Sequence, residues 1–110
     1  MGVDVEWHSR VPDLPDWHAS RRTLLGAVTD EDDLLADLIP TLDAESFPVL
    51  SAVDPYGDTV LDSGQATIAL SEVTRLGAGA WSERMLCEEL ARLLERCAER
   101  PGSVVAFIGD

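Results

Sequence analysis

Few residues in this chain are equipped for chemistry. His8 and His18 are its imidazoles and Cys87 and Cys97 its thiols, and about seventy residues separate the two kinds. A zinc site takes four N or S ligands at close spacing, and this distribution does not supply them. Asp54, Asp58 and Asp62 recur every four residues, and Asp30-Glu31-Asp32-Asp33 is an unbroken acidic run. Both invite a calcium reading. An EF-hand loop, however, places oxygen ligands at positions 1, 3 and 5, glycine at 6 and an acid at 12. Counted from Asp54, those places include Tyr56, Thr59 and Gln65, and counted from Asp30 the fifth is Leu34. Turn and cap chemistry explains these acids better. The sequence therefore leads us to expect no metal and no cofactor.

Nucleophiles fare no better. Ser63-Gly64 lacks the first glycine of a G-x-S-x-G elbow, because position 61 is Leu. Gly77-Ala78-Gly79-Ala80 has no P-loop lysine, and the chain contains no lysine at all. Cys97 falls on the apolar face of a helix and Cys87 adjoins Leu86, so both read as buried, inert thiols. Ten residues apart on one helix, they are about 15 Å apart along its axis and cannot pair with each other. Acids are too numerous for any pair to stand out as an acid and base. No catalytic set emerges, and the expectation is a protein without enzymatic activity.

Charge is the strongest signal left. Eight arginines face twenty-one acids, a net −13 over 110 residues. Residues 1–62 hold fourteen acids against Arg10, Arg21 and Arg22, a net −11, whereas residues 63–110 carry only −2. Such a chain repels phosphate backbones and anionic lipid, so neither direct nucleic-acid binding nor membrane association is expected. A basic protein is its electrostatic complement. With no signal-peptide pattern at Met1–Arg10 and no long apolar run, a cytoplasmic location is expected. The absence of Lys and Asn, both with AT-rich codons, points to a GC-rich bacterial genome.

The elements that must position these residues follow from periodicity. Alternation predicts a strand over 3–8, and Pro12 and Pro15 then impose a turn or extended segment within 1–20. RTLLGAV, 22–28, reads best as a buried strand, with a short helix as the alternative. Thr29 caps a helix over 30–39 whose first turn is acidic and which Pro40 ends. Residues 47–53 and 58–61 read as the arms of a hairpin closed by Asp54-Pro55-Tyr56-Gly57, which carries the preferred residues of a type I turn. Asp62 or Ser63 caps a helix over 65–76. A longer helix over 83–99 presents Leu86, Leu90, Leu93, Leu94 and Cys97 on one face, with Glu88 and Arg92 as an i,i+4 pair on the other. Pro101-Gly102 breaks it. Val104 to Ile108 is apolar without alternation, as suits a central strand buried on both faces.

These elements compose an α/β fold: a single domain over 21–110, with 1–20 part of it or appended. Its core is a three- to five-stranded mixed sheet packed with about three helices. Helices confined to one face would leave the other open to a partner. The Val53-Asp54-Pro55-Tyr56-Gly57-Asp58-Thr59-Val60 hairpin and the terminal Phe107-Ile108-Gly109-Asp110 resemble those of a group of small acidic actinobacterial proteins. The resemblance implies a shared fold and brings no activity with it.

For function, the residues point to a stoichiometric binding protein of the immunity or antitoxin type that neutralises a basic toxin such as a nuclease. Its expected contact residues are Asp13, Asp16, Trp17, Asp30, Asp32, Asp33, Asp54, Tyr56 and Asp58. The alternatives are a regulatory or assembly module that binds another protein, a homodimer included, and a small ligand-binding domain.

Overall fold

The computed structural model describes residues 2–11, 22–30, 33–78 and 84–109. Strands β1 (Asp4–His8) and β2 (Leu24–Val28) come first, then helix α1 (Leu34–Leu38), which tightens into a 3-10 turn over Ile39–Thr41. A second 3-10 turn, Leu50–Ala52, precedes β3 (Asp58–Leu61), α2 (Ser63–Ala78), α3 (Arg84–Glu99) and β4 (Val104–Ile108). The sheet runs β2-β1-β4-β3, so β1 from the N-terminal segment and β4 from the far end are the central pair.

Four strands and three helices fit the expected α/β architecture. All three ladders are antiparallel, where the sequence suggested mixed pairing. Two helices lie between β3 and β4, so the chain is carried over and back and β4 enters against β3. A single crossover helix would have returned it parallel.

Register sorts the side chains. Val5 opposes Phe107 and Val28, and Trp7 opposes Val105 and Gly26, so these residues share one face. Ala66, Ala69 and Val73 of α2 and Leu90, Leu93, Leu94 and Cys97 of α3 bury that face in the main core. Leu35, Ile39, Leu50 and Val53 complete the cluster. Val104, Ala106 and Ile108 form a second buried cluster on the opposite face, so β4 is covered on both sides, as its unbroken apolar run predicted. Glu6 and His8 on that second face are buried too. The open sheet face anticipated from one-sided helices is therefore not available along the central strands.

The hairpin needs correction. Its turn forms, but residues 47–53 are turns and 3-10 helix rather than a strand, and β3 pairs with β4 instead. Pro48 has no N–H to donate to a ladder. The Glu72 carboxylate, fully buried on α2, accepts the next two amides, from Val49 at 3.2 Å and Leu50 at 2.9 Å. With those donors taken, the segment coils over α2 rather than extending. Arg75 adds a second tie, donating to the Ser46 carbonyl and stacking 4.9 Å from the Phe47 ring centroid.

Helix starts follow side-chain capping. Asp62 and Gln65 form a reciprocal capping box at α2: the Gln65 N–H donates to Asp62 Oδ1 at 2.8 Å, and the Asp62 N–H to Gln65 Oε1 at 3.0 Å. At α1 the N-cap position is Asp33, and the first-turn amides of Leu35 and Ala36 are capped by the Asp30 carboxylate rather than by Thr29. After α3, Arg100-Pro101-Gly102-Ser103 closes with a 3.1 Å bond from the Ser103 N–H to the Arg100 carbonyl. Gly102, at φ 90°, supplies the left-handed residue that a type II turn needs.

Candidate functional site

The nine residues expected to make contacts separate into groups. Asp13, Asp16, Trp17 and Asp32 lie outside the described residues. Asp30 is 5 % exposed, and its carboxylate accepts the amides of Val3, Leu35 and Ala36, each at 3.1 Å. It ties the start of β1 to the start of α1 and has no surface to offer a partner. Asp33 is half-buried at the N-cap of α1 in the left-handed conformation, φ 57°.

Asp54, Tyr56 and Asp58 do come together, on the turn that leads into edge strand β3. The Asp54 carboxylate accepts the Tyr56 N–H at 2.9 Å, and the Asp54 N–H donates to Thr59 Oγ1 at 3.0 Å. From the neighbouring strand end, the Gly109 N–H donates to the Gly57 carbonyl at 2.8 Å. A Cβ at position 109 would stand 2.2 Å from the Pro55 carbonyl oxygen, so the chain end fits under the turn only as glycine. These ties fix the backbone and leave the Tyr56 side chain 81 % exposed between two exposed aspartates. Tyr56 is thus an exposed aromatic side chain on a hydrogen-bonded backbone, flanked by two exposed acids.

A second constellation escaped the reading by motif. On the buried second face, His8 Nε2 lies 2.8 Å from Glu6 Oε1 and His8 Nδ1 lies 2.7 Å from Thr23 Oγ1. An ionised Glu6 only accepts, so Nε2–H donates to it. In the neutral ring Nδ1 then accepts the Thr23 hydroxyl. The order carboxylate, imidazole, hydroxyl is that of a proton relay, but all three residues are buried. The array acts as a polar clamp between β1 and β2. Its signal was present in the sequence, because Glu6 and His8 are two apart on a strand and share a face.

The third feature is a groove of about 320 Å³ where α3 crosses the β2 edge. Trp7, Gly26 and Val28 form its sheet side, and Glu89, Arg92, Leu93 and Arg96 its helix side. Gly26 makes the approach feasible, since a Cβ there would meet Leu93 Cδ1 at 2.9 Å. The Glu88–Arg92 pair expected from spacing is not made. Among the described residues, neither Arg92 nor Arg96 has a hydrogen bond or ion pair. Trp7 is 8 % exposed, and its Nε1 is buried without an acceptor among the described residues.

Cys87 and Cys97 are buried. Burial pushes the Cys97 thiol above its ordinary range; a bond from Ser103 opposes this and the Asp62 charge adds to it. Among the described residues no group of three His, Cys, Asp or Glu is placed to hold a metal ion. Among them, too, no helix is long and apolar enough to cross a membrane. No family model, curated protein or solved structure matches the chain.

Proposed function

We propose that this chain is an acidic, stoichiometric binding protein that engages a basic protein partner through the Tyr56 turn. The observation that carries the reading is Tyr56, 81 % exposed on a hydrogen-bonded turn between Asp54 and Asp58. Tyrosine provides large contact area with few rotatable bonds, and a fixed backbone lowers the entropy lost on binding. The net charge of −13 adds long-range attraction to a basic surface and speeds encounter. An inhibitor of the immunity or antitoxin type, neutralising a basic toxin such as a nuclease, combines these properties. It would act in the cytoplasm, where such a toxin is made.

The test is co-expression with the toxic product of an adjacent gene, together with calorimetric titration of the purified pair. Protection and one-to-one binding that weakens at about 0.3 M salt support the reading. Y56A is expected to reduce affinity by about a hundredfold, the size of an interface hot spot. Absence of protection together with absence of binding overturns the function. Binding that is indifferent to Y56A overturns the site.

A further inference from the structure

The groove at the β2 edge has properties that a protein-binding acidic surface does not use. The chain is strongly acidic, yet two arginines one turn apart on α3 meet there, and among the described residues neither makes an ion pair. Arg92 and Arg96 stand at i and i+4 on one helix face, the spacing at which two side chains reach a common point. Glu89, one turn earlier, closes the end of the row. Behind them lies Trp7, whose ring lines the groove and is otherwise nearly enclosed. A buried aromatic ring at the wall of a concavity offers a ligand a preformed apolar surface. At about 320 Å³ the space lies at the lower end of the range for small-molecule sites and suits one compact molecule.

We infer that this groove binds a small organic oxyanion. Its acidic head group lies between the Arg92 and Arg96 guanidinium groups, and its planar or apolar body rests on Trp7 and Leu93. Guanidinium forks match carboxylate and phosphate oxygens alike, so the shared chemistry is the oxyanion. Glu89 limits the charge accepted, because its carboxylate repels a head group that extends toward it.

The test uses the whole chain and four probes: benzoate, phenyl phosphate, the neutral benzamide and inorganic phosphate. Binding is followed by calorimetry and by the indole N–H resonance of Trp7, assigned by its loss in W7F. Benzoate or phenyl phosphate is expected to saturate between about 0.1 and 10 mM and to shift that resonance, and the stronger of the two identifies the head group. R92Q/R96Q, which alters only exposed side chains, is expected to weaken binding by at least about tenfold, and E89Q to tighten it a few-fold. A groove with only a structural role would show neither change. Benzamide binding as well as benzoate overturns the anion assignment. Inorganic phosphate binding as well as phenyl phosphate overturns the organic body. No saturation by any probe overturns the site.

Discussion

At the β3 edge of the sheet the chain is acidic and its turn is closed by its own hydrogen bonds. At the β2 edge, across the two central strands, it is concave and lined by two arginines that bond to nothing described. An aromatic residue stands at each edge with opposite exposure: Tyr56 projects into solvent, and Trp7 is nearly enclosed. One sheet in one acidic chain therefore carries the turn we propose for a basic protein partner and the groove we propose for a small anion. A net charge describes the molecule's far field, which steers encounter. What binds at contact distance depends on which charges the fold leaves unpaired, and among the described residues at the groove those are Arg92 and Arg96 against the one carboxylate of Glu89.

Each edge also leans on a buried carboxylate, and this is where the comparison breaks most sharply. Glu72 behind the β3 edge is fully buried and accepts two amides, so E72A leaves both donors unpaired. Chemical denaturation is expected to show a loss of about 2–4 kcal/mol. Asp30, at the end of β2, serves three amides, and D30A is expected to cost about 2–4 kcal/mol. Hydrogen exchange should separate the two variants. Protection falls first around Leu50 in E72A and around Val3 and Leu35 in D30A.

Smaller changes sharpen the contrast without dismantling the fold. G109A forces a methyl against the Pro55 carbonyl and should cost about 1–3 kcal/mol while disordering the Tyr56 turn. G26A meets only the flexible end of Leu93, so the thermal melt should move less, by about 0.5–1.5 kcal/mol. Y56A, at an exposed side chain, should leave stability within about 0.5 kcal/mol and change partner affinity alone.

The Cys97 thiol provides a pH test that should leave both edges alone. Its folded pKa lies above the ordinary 9.0, so the folded state keeps the proton where the unfolded state has lost it. Stability from this group is complete below 9.0 and declines as pH rises beyond it. C97A is expected to remove that alkaline slope, read from denaturation midpoints at pH 8 and about pH 10.

Legibility differed from element to element. The apolar stripe of α3, the Asp62 cap, the Pro101-Gly102 stop and the two-sided burial of β4 were all readable, because each is set by residues within a few positions. The segment 47–53 misled because its apolar content suits a strand, and the carboxylate that coils it belongs to a helix 22 positions on. Asp30 misled for a related reason. An acid in an acidic run suggests a solvated surface, and only the fold brings the Val3 amide, 27 positions away, onto it. At the groove, Glu89, Arg92 and Arg96 are visible as a row on α3, but nothing local distinguishes them from an ordinary wet face.

The sequence by itself determined three things: the charge and its concentration in residues 1–62, the elements whose periodicity is unambiguous, and the Asp54–Gly57 turn. Each depends on composition or on neighbours along the chain. The tertiary structure alone decided which acids are spent internally, which strand β3 pairs with and where two arginines stand without an ion pair among the described residues. Those outcomes depend on donors and acceptors brought together from distant positions, and a buried polar group takes whatever partner the packing delivers.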